Sequence, residues 1–155
     1  MKDLVKLNRG ISEHWLGRLD AGQETYLGYV SVCLGQLTHS AAELAQVLAS
    51  SNENPLPVAK LNRRYLRFAR LAAKDVATGR PEMLIKLGID LDHAELLRDL
   101  TDEEVDRLAF SWNGPIMQFA SQAFKRGAAL HERAAMHHAT ALVATRLGRG
   151  SMRRT

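Results

Sequence analysis

The sequence predicts an all-α protein, and three observations predict it. Apolar residues recur at spacings of three, four and seven through most of the chain. N-capping residues, capping boxes and Gly or Pro breaks divide those stretches at helical lengths. No segment carries a convincing run of alternating apolar and polar residues.

The elements follow in order. Residues 1–50 are expected to form an N-terminal helical extension. Within it, Asp20 or Thr25 opens a long helix to about Ser50, with Tyr26, Val30, Cys33, Leu37, Ala41, Leu44 and Leu48 as one stripe. That spacing is close to a helix-pairing seam. Residues 51–57, ending the stretch SSNENPLP, read as a linker. A helix from about Pro57 to Thr78 turns Leu61, Tyr65, Phe68 and Ala72 inward, and Arg63, Arg67, Arg70 and Lys74 form a basic stripe opposite. Residues 81–87 form a short helix that Gly88 ends. Asp90 or Asp92 caps the next helix, to about Asp99. Thr101 and Glu104 form a capping box before Val105, Leu108 and Ala109. After the turn Asn113-Gly114-Pro115, a last helix runs to about Leu147, and residues 148–155 are a flexible basic tail. The domain from 58 to 147 thus holds about five to six helices. KLNRG at 6–10 and KLNRR at 60–64 echo each other, but five residues do not establish a repeat.

At 155 residues the chain suits one domain with a modest core. No apolar run approaches the roughly 20 residues that span a bilayer. Nor does MKDLVKLNRGISEHW read as a secretory leader. A cytoplasmic protein without membrane contact is the expectation. The net charge of +4 is unevenly spread. Residues 60–80 and 125–155 each hold seven basic residues against one acidic, while residues 90–106 hold eight acidic against Arg98. Such blocks suit charged partners, nucleic acid or protein, and equally suit solvated helix faces.

Candidate chemistry is sparse. LHERAAMHH (130–138) fails as a zinc-protease motif because Ala135 stands where the second histidine belongs. His131 and His138 are two helical turns apart, about 10 Å at 1.5 Å per residue. Cys33 lies on an apolar stripe, where an inert buried thiol is common. No nucleophile elbow or phosphate loop is present, so no enzyme, metal or cofactor is expected. EMLIKLGIDLDHAELLRDL imitates a helix-turn-helix, but its second helix carries Asp92, Glu95 and Asp99 against Arg98. Phosphates repel such a helix, so DNA contact is left to the basic stripe or the C-terminal arm.

The ordered motifs LNRRYLRFARLA (61–72), LIKLGI (84–89), LRDLT (97–101) and VDRLA (105–109), with HATALVATR (138–146), resemble FlhD. This is the flagellar master-regulator family, with relatives in conjugative mobile elements. The resemblance spans about residues 58–147. It implies an all-helical dimer-forming domain, homodimeric or higher, and an FlhC-like partner that makes most DNA contacts in a bacterial transcriptional activator. It places partner binding at Leu84, Ile85 and Lys86, and DNA or activation contacts at His138, Ala141, Val143, Thr145 and Arg146, with Arg149 added from the basic arm. Three departures stand out: an N-terminal extension of about 55 residues, no bridging Cys near Ile116, and three extra residues before Gly88. A helical protein–protein adaptor without DNA binding is the alternative.

Overall fold

The structure, a computed structural model, describes residues 2–50, 57–76 and 82–153, with side chains for 3–50, 57–75 and 82–146. Most of the expected linker, residues 51–56, and the side chain of Arg149 lie outside this set. Among the described residues the elements are α1 (Lys2–Leu16), α2 (Ala21–Leu27), β1 (Gly35–Gln36), α3 (Ala41–Ser50), α4 (Ala59–Val76) and α5 (Glu82–Leu87). They continue with α6 (Leu91–Arg98), α7 (Asp102–Ser111), β2 (Gln118–Phe119), α8 (Ser121–Ala128) and α9 (Glu132–Arg153). The protein is all-α, with β1 and β2 as a minor two-stranded sheet.

Several expected boundaries hold and others move. Asp90 and Thr101 each cap their helix in a capping box, and Gly88 ends α5 with φ +74°. A Cβ at Gly88 would also stand 2.8 Å from the Cα of Gln36, so glycine is required twice over. The long helix expected up to Ser50 is two helices. Asp20 and Gln23 form a capping box on α2, and Gly28 caps its end. Residues 28–40 then run as turns and extended chain, rich in Val and Leu. Ser40 opens α3, its Oγ accepting the Glu43 N–H at 3.2 Å. Tyr26, Val30, Cys33, Leu37 and Leu44 are therefore buried in this chain's own core and form no seam for a second helix. The helix expected from Pro115 to Leu147 is also broken: β2, α8 and α9 share that stretch, and α9 continues to Arg153.

The chain groups into two compact units that do not follow the linear division at 51–57. The first comprises residues 1–36, 85–88 and 119–155; the second comprises 37–84 and 89–118. In the first, α2 packs on α1, α8 and α9. Leu7, Ile11, Tyr26, Leu27 and Phe124 fill its core, and Arg9 pairs with Glu24 at 2.9 Å across α1 and α2. In the second, α4 packs on α6 and α7, and α3 packs on both of those helices. Tyr65, Leu66, Ala69, Leu97, Val105 and Leu108 are buried there. Each such Leu or Val contributes about 1.5–3 kcal/mol relative to exposure. His93, the third residue of α6, is itself part of a cap. Its Nδ1 accepts the Asp90 N–H at 3.2 Å, and its Nε2 lies 2.5 Å from the carbonyl of His39.

The echoed asparagines do the same work in the two units. Asn8 in α1 is fully buried; its Nδ2 donates to the Val32 carbonyl at 2.9 Å and its Oδ1 accepts the Leu34 N–H at 2.7 Å. Asn62 in α4 is fully buried; its Nδ2 donates to the Gly114 carbonyl at 2.9 Å and its Oδ1 accepts the Ile116 N–H at 2.8 Å. Each amide clasps residues j and j+2 of a bent, non-helical segment, supplying partners for its backbone groups. These segments lead directly into β1 and β2.

Candidate interaction surface

The basic stripe exists, but it faces its own unit. Arg70 Nη2 lies 2.5 Å from Asp102 Oδ1, and Nη1 donates to the Leu100 carbonyl at 3.1 Å. Arg67 pairs with Asp106 at 3.5 Å, and the Arg63 guanidinium sits 6.0 Å from the Phe110 ring centroid. Only Lys74 of the four has none of these contacts, and it is exposed. Two acids of the 90–106 block, Asp102 and Asp106, are thus matched by α4 rather than by an outside partner.

The hydrogen bond and charge of Arg70 hold the Asp102 carboxyl below its ordinary range. A carboxylate whose folded pKa is depressed stabilises the fold above its unfolded pKa. That contribution is lost as pH falls through the folded value. Arg70→Ala is therefore expected to flatten the acid side of the stability profile, read as the urea midpoint at neutral pH minus that near pH 3. The change is small because Asp102 is largely exposed. An unchanged difference between the two midpoints would remove the pair from the energetics.

The expected DNA or activation residues lie on α9, and most turn inward. Ala135 and Ala139 are buried, and His138, Val143 and Arg146 follow on that edge, half-buried. Arg146 Nη1 donates to the Lys86 carbonyl at 3.2 Å, which also accepts the Cys33 N–H at 2.8 Å. A cation here meets the C-terminal end of α5, where the helix field favours it. Ala141 and Thr145 are exposed. Of the expected partner-binding residues, Leu84 is buried and offers no surface, whereas Ile85 and Lys86 are half-exposed. The structure therefore joins Lys86 and Arg146, which the sequence assigns to separate sites.

His138 has a partner that the sequence does not announce. Its Nδ1 lies 2.5 Å from the hydroxyl of Tyr26, 112 residues away. Burial pushes the Tyr26 pKa up to about 12, so the phenol keeps its proton and can donate it to this bond. Phe124 also packs on Tyr26, with centroids 5.8 Å apart. A shallow groove of roughly 540 Å³ runs beside this pair, lined by Phe119, Ser121, Arg126, His138 and Leu142 among others. His131 and His137 are exposed, and no three His, Cys, Asp or Glu side chains among the described residues converge as metal ligands. No helix among the described residues is long and apolar enough to cross a membrane.

What sequence reading misses is the outward face of α8 and α9. Lys125, Arg126, Arg133, Met136 and His137 are exposed there. The overlooked signal is the break before Glu132, which resets the register of the face. The chain matches no protein-family model, no curated protein and no solved structure.

Proposed function

We propose that the chain is a scaffold subunit of a bacterial transcriptional activator of the FlhD-like kind. In this reading it assembles with an FlhC-like partner that makes most of the DNA contacts. One observation carries the division of labour: three of the arginines expected to meet DNA are held by their own units. Arg70 and Arg67 are tied to α7, and Arg146 to the end of α5. The ordered motifs agree with the reading. LNRRYLRFARLA lies in α4, LIKLGI spans the end of α5 and its Gly88 turn, LRDLT closes α6 and caps α7, and VDRLA lies in α7.

The test is co-expression with an FlhC-like protein encoded nearby, followed by promoter binding across a salt series. A stable complex is expected, with promoter binding that needs both chains. Arg67→Glu should leave the salt slope of the complex unchanged. If Arg67 instead neutralised a phosphate, the substitution would lower the slope by about 0.9. No complex, or promoter binding indifferent to this chain, would sink the proposal. The same arginine pairing favours a second reading, a protein–protein adaptor without DNA contact. That reading predicts partner binding with no change in promoter affinity.

A further inference from the structure

Two exposed faces carry opposite charge, and among the described residues Arg98–Asp99 is the one ion pair that touches either of them. On α6, Asp92, Glu95 and Asp99 follow at spacings of three and four, so they form one exposed stripe. Leu91, 52% exposed, stands one turn before Glu95. Arg98 is the cation on this helix, and it pairs with the neighbouring Asp99 at 3.3 Å. The second face lies where α8 gives way to α9. Lys125 and Arg126 close α8, and Arg133 and His137 lie in the first turns of α9, all exposed. Met136, 49% exposed, lies between Arg133 and His137 along α9, with Leu130 also exposed just before the helix. Glu132 is the acid in this group.

Two of these charges oppose their own helix. Arg133 occupies the first turn of α9, where the helix field repels a cation, and it pairs with no carboxylate among the described residues. Asp99 caps the C-terminal end of α6, where the field repels an anion. Local helix stability does not explain the placement of Arg133, and Arg98 offsets Asp99 only through an exposed pair with its sequence neighbour; a charge supplied from outside suits both. Nucleic acid would match the cations. It would leave Met136 and Leu130 exposed and offer nothing to the acids of α6.

We propose that these two faces bind each other between two copies of the chain. Arg126, Arg133 and His137 of one copy meet Asp92, Glu95 and Asp99 of the next, with Met136 against Leu91. The contact joins unlike surfaces, so it closes as a reciprocal pair or a ring, or else propagates. The scaffold reading implies a dimer or higher without locating its contact; this inference rests on that reading only for self-association and adds the two faces, whose charge-swap test is independent of DNA and of a second protein.

The experiment is sedimentation and light scattering of the full chain at low and high ionic strength. A mass of at least twice 17.2 kDa is expected at low salt, weakening as salt screens the contact. One variant carries Glu95→Lys with Asp99→Lys; another carries Arg133→Glu with His137→Glu. Asp99→Lys and Arg133→Glu suit their helix ends better than the native residues, so both variants should keep their helical circular dichroism. Each alone is expected to associate at least tenfold more weakly. Their equimolar mixture should recover association, because the intact basic face of one meets the intact acidic face of the other. A monomeric native chain, variants that associate like the native chain, or a mixture that fails to recover would each overturn the proposal. So would duplex DNA binding that the α9 variant abolishes without any change in mass.

Discussion

Gly127→Ala is expected to destabilise the protein by about 3 kcal/mol, the upper end of ordinary overpacking costs. At this chain length that lowers the melting midpoint by roughly 6–12 °C. Helix propensity alone predicts the opposite sign, since alanine in a helix interior gains about 1 kcal/mol over glycine. The decisive contact is tertiary: a Cβ on Gly127 would stand 2.1 Å from Cζ of Tyr26 and 2.3 Å from its hydroxyl oxygen. The ring has little room to yield, because Phe124 packs on it and its hydroxyl is bonded to His138. The strain should therefore appear at His138 as well, as a changed ring signal in NMR. A thermal melt checks the stability, and a Tyr26→Leu, Gly127→Ala double variant checks the cause. Two changes competing for one space should cost less together than the sum of their separate costs. A more stable Gly127→Ala protein would show that the two helices do not approach this closely.

Asn8→Leu and Asn62→Leu are each expected to cost about 4 kcal/mol in urea unfolding. Either change removes an amide that satisfies one buried N–H and at least one carbonyl, Asn62 reaching the Ala109 carbonyl as well at 3.3 Å, and each orphaned group costs about 1–3 kcal/mol. Comparable losses from both would show that the two clasps are energetically as well as geometrically alike. Asn8→Asp separates hydrogen bonding from volume. The carboxylate still accepts from Leu34 but faces the Val32 carbonyl, where a donor is needed. Ionisation is thereby opposed in the folded state, which raises the folded pKa. The penalty should be least below about pH 4 and grow as pH rises. A pH-independent penalty would count against the donor role of the native amide.

The parts of the fold legible in the sequence are those decided within one helical turn. Asp90, Thr101 and Gly88 act through neighbours three or four residues away, and their signatures survive in the chain. The break between α2 and α3 is hidden because Tyr26, Val30, Cys33, Leu37 and Leu44 keep helical spacing although the backbone from 28 to 40 is non-helical. Their spacing reflects burial, and burial alone does not distinguish the two conformations here. The Ser40–Glu43 bonding pattern is the available warning. Among site residues, Arg63, Arg67, Arg70 and Lys74 are legible as a stripe. Their pairing with α7 is not, because Arg70 and Asp102 are 32 residues apart. Tyr26 and His138 leave no local trace of their contact. The KLNR echo is visible, but only the tertiary hydrogen bonds show that its asparagine is the meaningful letter.

Cys33 is the one cysteine of the chain, fully enclosed, with its thiol pushed up to about 11 by burial. Reagents that modify thiols need both access and thiolate, and the closed first unit denies both. Modification of Cys33 thus waits on an opening of that unit, so its rate serves as a chemical stopwatch for the opening. Reagent concentration separates two regimes: opening before attack is rate-limiting, or opening as a rapid pre-equilibrium whose free energy can be read out. The second unit has no cysteine, so it stays silent in such a measurement. The native sequence thereby permits the stability of one unit to be followed alone, without an engineered label.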